Sequence, residues 1–224
     1  MQAPTRPIAT VEAVPTRRHL LAAALSTILF LLLARWVSAG NSILFDLRIR
    51  DTVHAWASPL ATSVLFAITM LGSEWVMLPL GAVLVWRLEI AGRRRQAMLM
   101  VVAVLGAELA SNLLKLAFHR PRPVVFFGLP PAENHSFPSG HAFVGAVFYA
   151  LLADVLATFA RTPRQRMGIA IVAVLTVLLI GLSRVYLGYH YPSDVLGGWA
   201  CAATWLALCG PPINAAGETQ KQRH

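Results

Sequence analysis

Apolar residues in this chain run in long blocks, and the charged residues gather between the blocks. Continuous apolar runs approaching about twenty positions read as membrane spans, not as the one-sided stripes of soluble helices. The first block, residues 20–37, follows Arg17, Arg18 and His19. It is long for the core of a cleaved leader, and Ser38-Ala39-Gly40 makes a weak cleavage site, so a retained span is expected. Residues 41–54 are mixed, with Asp46, Arg48, Arg50, Asp51 and His54. Residues 55–72 are apolar but short, with Trp56 and Pro59 near the start, and read as a helix lying in or dipping into the interface. Further spans are expected at 75–88, 96–116, 142–160, 168–187 and 195–208. The pattern predicts an all-α polytopic bundle of six transmembrane helices plus an interfacial helix near 55–72. Residues 1–16 are polar and proline-bearing and read as a flexible tail. Residues 17–212 form one membrane domain, Gly210-Pro211-Pro212 stops the last span, and 213–224 form a second flexible tail.

Composition agrees with this reading. Of 224 residues, 57% are hydrophobic and only 13% charged, and the mean hydropathy is +0.62. An ordinary soluble domain is excluded. A formal net charge of +9 would by itself suggest a nucleic-acid partner, but its placement points to topology. Six spans put both termini on one side of the membrane. Twelve Lys and Arg residues fall on that side and seven on the other, and four of the seven lie in the motif stretches described next. The excess of basic residues assigns the termini to the cytoplasm, and no nucleic-acid partner is expected. If 55–72 crossed, Arg17 and Arg18 would face away from the clusters around Arg93 and Arg161. Cys201 and Cys209 lie eight positions apart in one apolar block, roughly 12 Å along a helix. A disulfide needs Cα atoms within about 7 Å, so they do not pair there.

Three polar stretches then share the outer face. Residues 115–123 read Lys-Leu-Ala-Phe-His-Arg-Pro-Arg-Pro. Lys115 alone is a span end snorkelling to headgroups, whereas Arg122 is fixed between two prolines. Residues 135–141 read His-Ser-Phe-Pro-Ser-Gly-His. There Ser139 is a helix cap, Gly140 admits a ligand close to the backbone, and the helix start favours an anion. His141 would stand beside that anion. Residues 183–194 read Ser-Arg-Val-Tyr-Leu-Gly-Tyr-His-Tyr-Pro-Ser-Asp. Pro192 opens a helix, which puts Asp194 in its first turn and within reach of the His190 imidazole. Arg184 offers a planar fork of donors to phosphate oxygens. No acidic cluster is present to hold a metal. Glu108 and Asn112 share a face of the third span and read as a polar contact between helices. His119, Arg120 and His135 flank the motifs and read as solvated loop, with a supporting role behind the motif residues as the alternative, and Phe126 and Phe127 lie in a loop that could shape specificity.

Lys115 with Arg122-Pro123, Pro138-Ser139-Gly140-His141, and Ser183-Arg184 with His190 and Asp194 resemble the three signature motifs of the type 2 phosphatidic acid phosphatase family, complete and in order. The resemblance implies a metal-free, cofactor-free lipid phosphatase working through a phosphohistidine. It assigns His190 as nucleophile with Asp194 as its partner and His141 as general acid, then base. It assigns Lys115, Arg122, Ser139, Gly140 and Arg184 to the substrate phosphate. The two histidines must then begin in opposite protonation states. The expected partners are the bilayer and a membrane lipid phosphate, with undecaprenyl pyrophosphate in a bacterial inner membrane as the leading candidate. Phosphatidylglycerophosphate, phosphatidic acid and lipid A are the alternatives. A basic transporter without catalysis, a scaffold with residual motifs and a haloperoxidase-like vanadate site compete with this reading. The His190–Asp194 pairing argues for chemistry over mere binding.

Overall fold

The computed structural model describes residues 15–221 except Glu133, and these form eight helices. They are α1 (Arg17–Ser38), α2 (Ile43–His54), α3 (Pro59–Leu71), α4 (Glu74–Ile90), α5 (Arg94–Phe118), α6 (Gly140–Ala157), α7 (Pro163–Tyr186) and α8 (Pro192–Lys221). Their ends follow local chemistry. Ser58 caps α3 ahead of Pro59 by accepting from the Ala61 N–H at 3.2 Å. Thr162 and Gln165 cap α7 reciprocally, with Pro163 in the first turn, where a missing N–H is harmless. α5 ends where His119 turns left-handed at φ 47°, just before the prolines at 121 and 123.

Helix α6 is the centre of the bundle. It packs on α5, α7 and α8, and it buries much of its circumference, including Phe143, Val147 and Leu151. α1 lies along α8, α3 along α7, and α4 along α5. Small residues permit the tightest approach. A Cβ added at Gly198 of α8 would stand 2.7 Å from the Ser139 carbonyl oxygen, so only glycine lets α8 meet the start of α6. The outer surfaces stay apolar, with Leu25 67% and Val102 66% exposed, as a bundle solvated by lipid requires.

Four helices (α1, α5, α6, α7) are long and apolar enough to cross a membrane, and α3 with α4 adds a fifth if this pair, bent by 44°, is one span. Three expectations need adjusting. The interfacial helix expected near 55–72 is present as α3, but it runs into α4 through the 44° bend instead of standing apart. The mixed stretch 41–54 forms a helix of its own, α2, which packs on α7 and α8. α8 runs through Pro211 and Pro212 to Lys221: losing two N–H donors thins its hydrogen bonding without ending it. The flexible tails expected at 1–16 and 213–224 fall partly outside the described residues, at 1–14 and 222–224.

The helix ends sort into two groups. Arg93, just before α5, donates to Thr158 just after α6 at 3.1 Å. At the other end, the C-termini of α5 and α7 meet the N-termini of α6 and α8, and α2 lies beside them. All three motif stretches sit at this second end.

Candidate active site

Each polar side chain at this end is delivered by a helix terminus. Lys115 comes from the last turn of α5 and Arg184 from the last turn of α7. Ser139 and His141 flank the first residue of α6, and Asp194 lies in the first turn of α8. Ser139 caps α6, its Oγ accepting from the Ala142 N–H at 3.4 Å. Its own N–H donates to the Asp194 carbonyl at 3.0 Å, which ties the starts of α6 and α8 together. A Cβ added at Gly140 would stand 3.2 Å from Lys115 Nζ and 3.3 Å from Ser111 Oγ, so the ammonium lies directly over the helix start.

His190 is buried in the connection between α7 and α8. Arg122 Nη1 lies 3.2 Å from its Nε2. A guanidinium only donates, so Nε2 presents its lone pair and Nδ1 carries the hydrogen. Nδ1 faces Asp194 Oδ2 at 3.4 Å, a long contact of the kind that tightens when substrate binds. Burial, followed by the charges of Arg122, Arg184 and Lys115, holds the His190 imidazole well below its ordinary range. The ring is neutral at physiological pH, with its lone pair on the nitrogen that faces Arg122.

The cations are fixed by neutral partners. Arg122 donates to Asn134 through its carbonyl (2.7 Å) and its side-chain amide oxygen, and to the Tyr189 carbonyl at 2.8 Å. Burial lowers its pKa, opposed by Asp194, yet an arginine so placed stays charged. Arg184 donates to Thr69 Oγ1 of α3 at 3.0 Å and stacks on Tyr189 at 4.2 Å, while its buried Nε has no hydrogen-bond partner among the described residues. His141 has Arg184, Lys115 and Arg122 as its cationic neighbours. Lys115, Arg122, His141, Arg184, His190 and Gly140 all line one cavity of about 760 Å3. From them the cavity runs between α4, α5 and α6, past Leu78, Val85 and Val104 to Leu88 and Met100. It is cationic at one end and apolar along the rest.

The structure thus brings together all eight site residues named from the sequence, with Asp194 behind His190 and Ser139 behind the α6 start. It also corrects two readings. Arg120 is no solvated loop residue: its side chain is 11% exposed and it bridges Asp194 Oδ1 at 2.5 Å and Asp46 Oδ2 at 2.7 Å. Glu108 makes its contact within α5, accepting from Asn112 at 2.9 Å, and lines the cavity. His119 and His135 meet edge to face with ring centroids 4.7 Å apart. The loop carrying Phe126 and Phe127 is pinned: Arg50 and His54 of α2 stack on Phe126, and Phe127 stacks on Tyr186. Sequence reasoning missed Asp46, Thr69 and Asn134. For Asp46 the only signal was an acid in an otherwise half-apolar stretch, and for Thr69 there was none.

Residues 96–211, which hold all eight site residues named from the sequence, match the PAP2 superfamily. The chain belongs to that family. Phosphatidylglycerophosphatase B of Bacillus subtilis is 30% identical over 172 residues, 76% of this chain and 84% of the relative. An undecaprenyl-diphosphatase of Sulfolobus acidocaldarius is 24% identical over 205 residues, 87% of this chain and 92% of the relative. The solved transmembrane PAP2-type phosphatidylglycerolphosphate phosphatase of Bacillus subtilis superposes with a TM-score of 0.77 at 28% identity, covering 84% of this chain and 94% of that one. As a PAP2 protein among such relatives the chain is a phosphatase, and its apolar helices make it an integral membrane protein.

Proposed function

We propose that this chain is a metal-independent lipid phosphatase that passes the phosphoryl group through His190. The observation that carries the reading is the cavity, which joins a cationic seat around a neutral, carboxylate-backed histidine to a long apolar passage between α4, α5 and α6. A lipid phosphate fits both ends at once, with its tail among Leu78, Val85 and Val104 and its phosphate at His190.

In the reaction, His190 Nε2 attacks phosphorus in line while Asp194 stabilises the imidazolium that forms. Arg122 must release Nε2 first, and the arriving phosphate oxygens take over its N–H groups. Lys115, Arg122, Arg184 and the start of α6 behind Ser139 and Gly140 hold the equatorial oxygens, where charge must be stabilised. The Arg184 Nε, unpartnered among the described residues, is one donor available for this. His141 gives a proton to the leaving oxygen, and then takes one from the water that cleaves the phosphohistidine. Surrounded by cations, His141 gains its counter-anion when the substrate phosphate arrives, so its protonated form is favoured in the complex.

The chain crosses the membrane six times, with α3 and α4 as one bent span and α8 as the sixth. Both termini are cytoplasmic and the site faces outward from a bacterial inner membrane. The Arg17–Arg18, Arg93–Arg95 and Arg161–Arg166 clusters at the opposite end from the site support this orientation. Undecaprenyl pyrophosphate is the leading substrate, a reading supported by the Sulfolobus acidocaldarius relative. Phosphatidylglycerophosphate is the second reading, supported by the Bacillus subtilis relative and the solved structure.

Phosphate release by the purified protein in detergent with excess EDTA tests both. The substrates are undecaprenyl pyrophosphate, phosphatidylglycerophosphate, phosphatidic acid and a soluble ester. The expected outcome is release from a lipid that EDTA does not stop, vanadate inhibits and His190→Ala abolishes. Release only from the soluble ester, or release that EDTA removes, would overturn the proposal.

A further inference from the structure

Arg120 stands two residues before Arg122 but faces away from the substrate: neither it nor Asp46 lines the cavity. Its two terminal nitrogens are fully committed. Nη1 donates to Asp194 Oδ1 at 2.5 Å and Ser193 Oγ at 2.8 Å; Nη2 donates to Asp46 Oδ2 at 2.7 Å and Ser42 Oγ at 3.1 Å. The guanidinium also lies over the Tyr191 ring at 4.3 Å. Asp46, on α2, is fully buried and accepts from the Ser193 N–H at 2.9 Å and from Ser193 Oγ at 2.7 Å. Asp194 therefore has one oxygen on Arg120, and the other accepts from the Tyr191 N–H at 2.8 Å and faces His190 Nδ1.

We propose that Arg120 and Asp46 are positioning residues for the nucleophile: Arg120 holds Asp194 ionised with Oδ2 turned to His190, and Asp46 holds Arg120 in that pose. The inference rests on the reading of His190 as nucleophile. A carboxylate buried without a cation would take up a proton, and a protonated Asp194 could no longer fix the Nδ1–H tautomer that leaves Nε2 free. Arg122 on the other side of the ring cannot serve, because it sits on Nε2 and is needed by the phosphate. Arg120 supplies the cation from behind. Asp46 offsets its charge and anchors it to the first turn of α8, so Arg120 does not compete for substrate oxygens. The other charged groups around His190 are Lys115 on α5, His141 on α6 and Arg184 on α7, and all of them face the cavity. Helix α2 is thereby coupled to His190 although none of its residues lines the cavity.

The test uses the full chain in detergent micelles with Arg120→Ala, Arg120→Lys, Asp46→Asn and the Asp46→Asn/Arg120→Ala double variant. Turnover of undecaprenyl pyrophosphate and phosphatidylglycerophosphate is followed against pH. Arg120→Ala is expected to lower kcat by about 100-fold with KM within about 3-fold. Its acid limb moves to higher pH, because losing a cation lets Asp194 and His190 hold a proton more readily. Arg120→Lys keeps the charge, so its limb stays near that of the wild type while kcat falls by about 10-fold. Asp46→Asn loses about 10-fold, and the double variant loses no more than Arg120→Ala alone, since both act through one link. Nitrogen-15 shifts of His190, assigned by difference from His190→Ala, read the tautomer without substrate and stand even if neither lipid is turned over. The expected result is Nδ1–H in the wild type and a mixture in Arg120→Ala. Asp46→Asn, nearly isosteric, carries the same readouts if Arg120→Ala does not fold. Raised KM with kcat retained, additive losses, an unmoved acid limb or an unchanged tautomer would each overturn the proposal.

Discussion

At the residue scale, a cationic seat coexists with a neutral histidine, the proposed nucleophile. Burial first, and then the charges of Arg122, Arg184 and Lys115, hold the His190 imidazole below its ordinary range and favour the unprotonated ring. The sign is direct: protonating His190 removes the nucleophile, and its pKa is held below the ordinary range, so activity persists toward acid. With chemistry rate-limiting, the pH–rate profile is bell-shaped. Its acid limb lies below the ordinary histidine value of about 6.5, and its basic limb reports the loss of the His141 proton. A flat profile through that range would contradict the pairing. Arg184→Ala, by removing one oxyanion donor, lowers kcat by roughly 10²- to 10³-fold. Much of this geometry was legible in the sequence, because the side chains that the motifs display are the ones the fold gathers at one cavity. The solvated-loop reading of Arg120 failed for a physical reason: Arg-Pro-Arg-Pro shows two equivalent arginines, and only the fold decides that Arg122 faces the cavity and Arg120 faces Asp46. Breaking such a buried ion pair from one side costs about 3–5 kcal/mol, so Arg120→Ala is also expected to lower the melting temperature in detergent.

At the element scale, the site is a meeting of helix ends. The capping residues Ser139 and the opening Pro192 were visible in the sequence, and so were the ends of α5 and α7. Gly198 was not singled out, because a glycine's role depends on what passes beside it. Gly198→Val forces its Cβ toward the Ser139 carbonyl, parts α8 from α6 and separates Asp194 from Ser139. The expected result is a lower melting temperature and a loss of activity, read by thermal shift and phosphate release. The bend between α3 and α4 and the helicity of 43–54 were not legible either. α3 is set by Tyr186 meeting Thr62 at 2.8 Å and by Thr69 meeting Arg184, and α2 by Asp46. These are contacts of long sequence separation, which local patterning does not encode.

At the scale of the whole molecule, apolar blocks fixed the class of the fold, and the charge clusters gave its proposed orientation. Impermeant maleimide tests that orientation in a background where Cys201 and Cys209 are alanine. Val124→Cys, 80% exposed in the wild type as Val124, is expected to label in intact cells, whereas Arg164→Cys labels only after permeabilisation; the reverse pattern would invert the topology. The cavity makes the bundle more than a scaffold for its loops, since the apolar passage between α4, α5 and α6 leads into the cationic seat. The central claim is that the phosphoryl group rests on His190 between two displacements. Its most direct measurement is trapping: terminally 32P-labelled lipid is mixed rapidly with the protein, quenched in alkaline detergent and resolved by electrophoresis. The expected result is label on the wild-type chain that acid removes and alkali does not, and none on His190→Ala. Turnover without a labelled chain, or label that persists in His190→Ala, would contradict it.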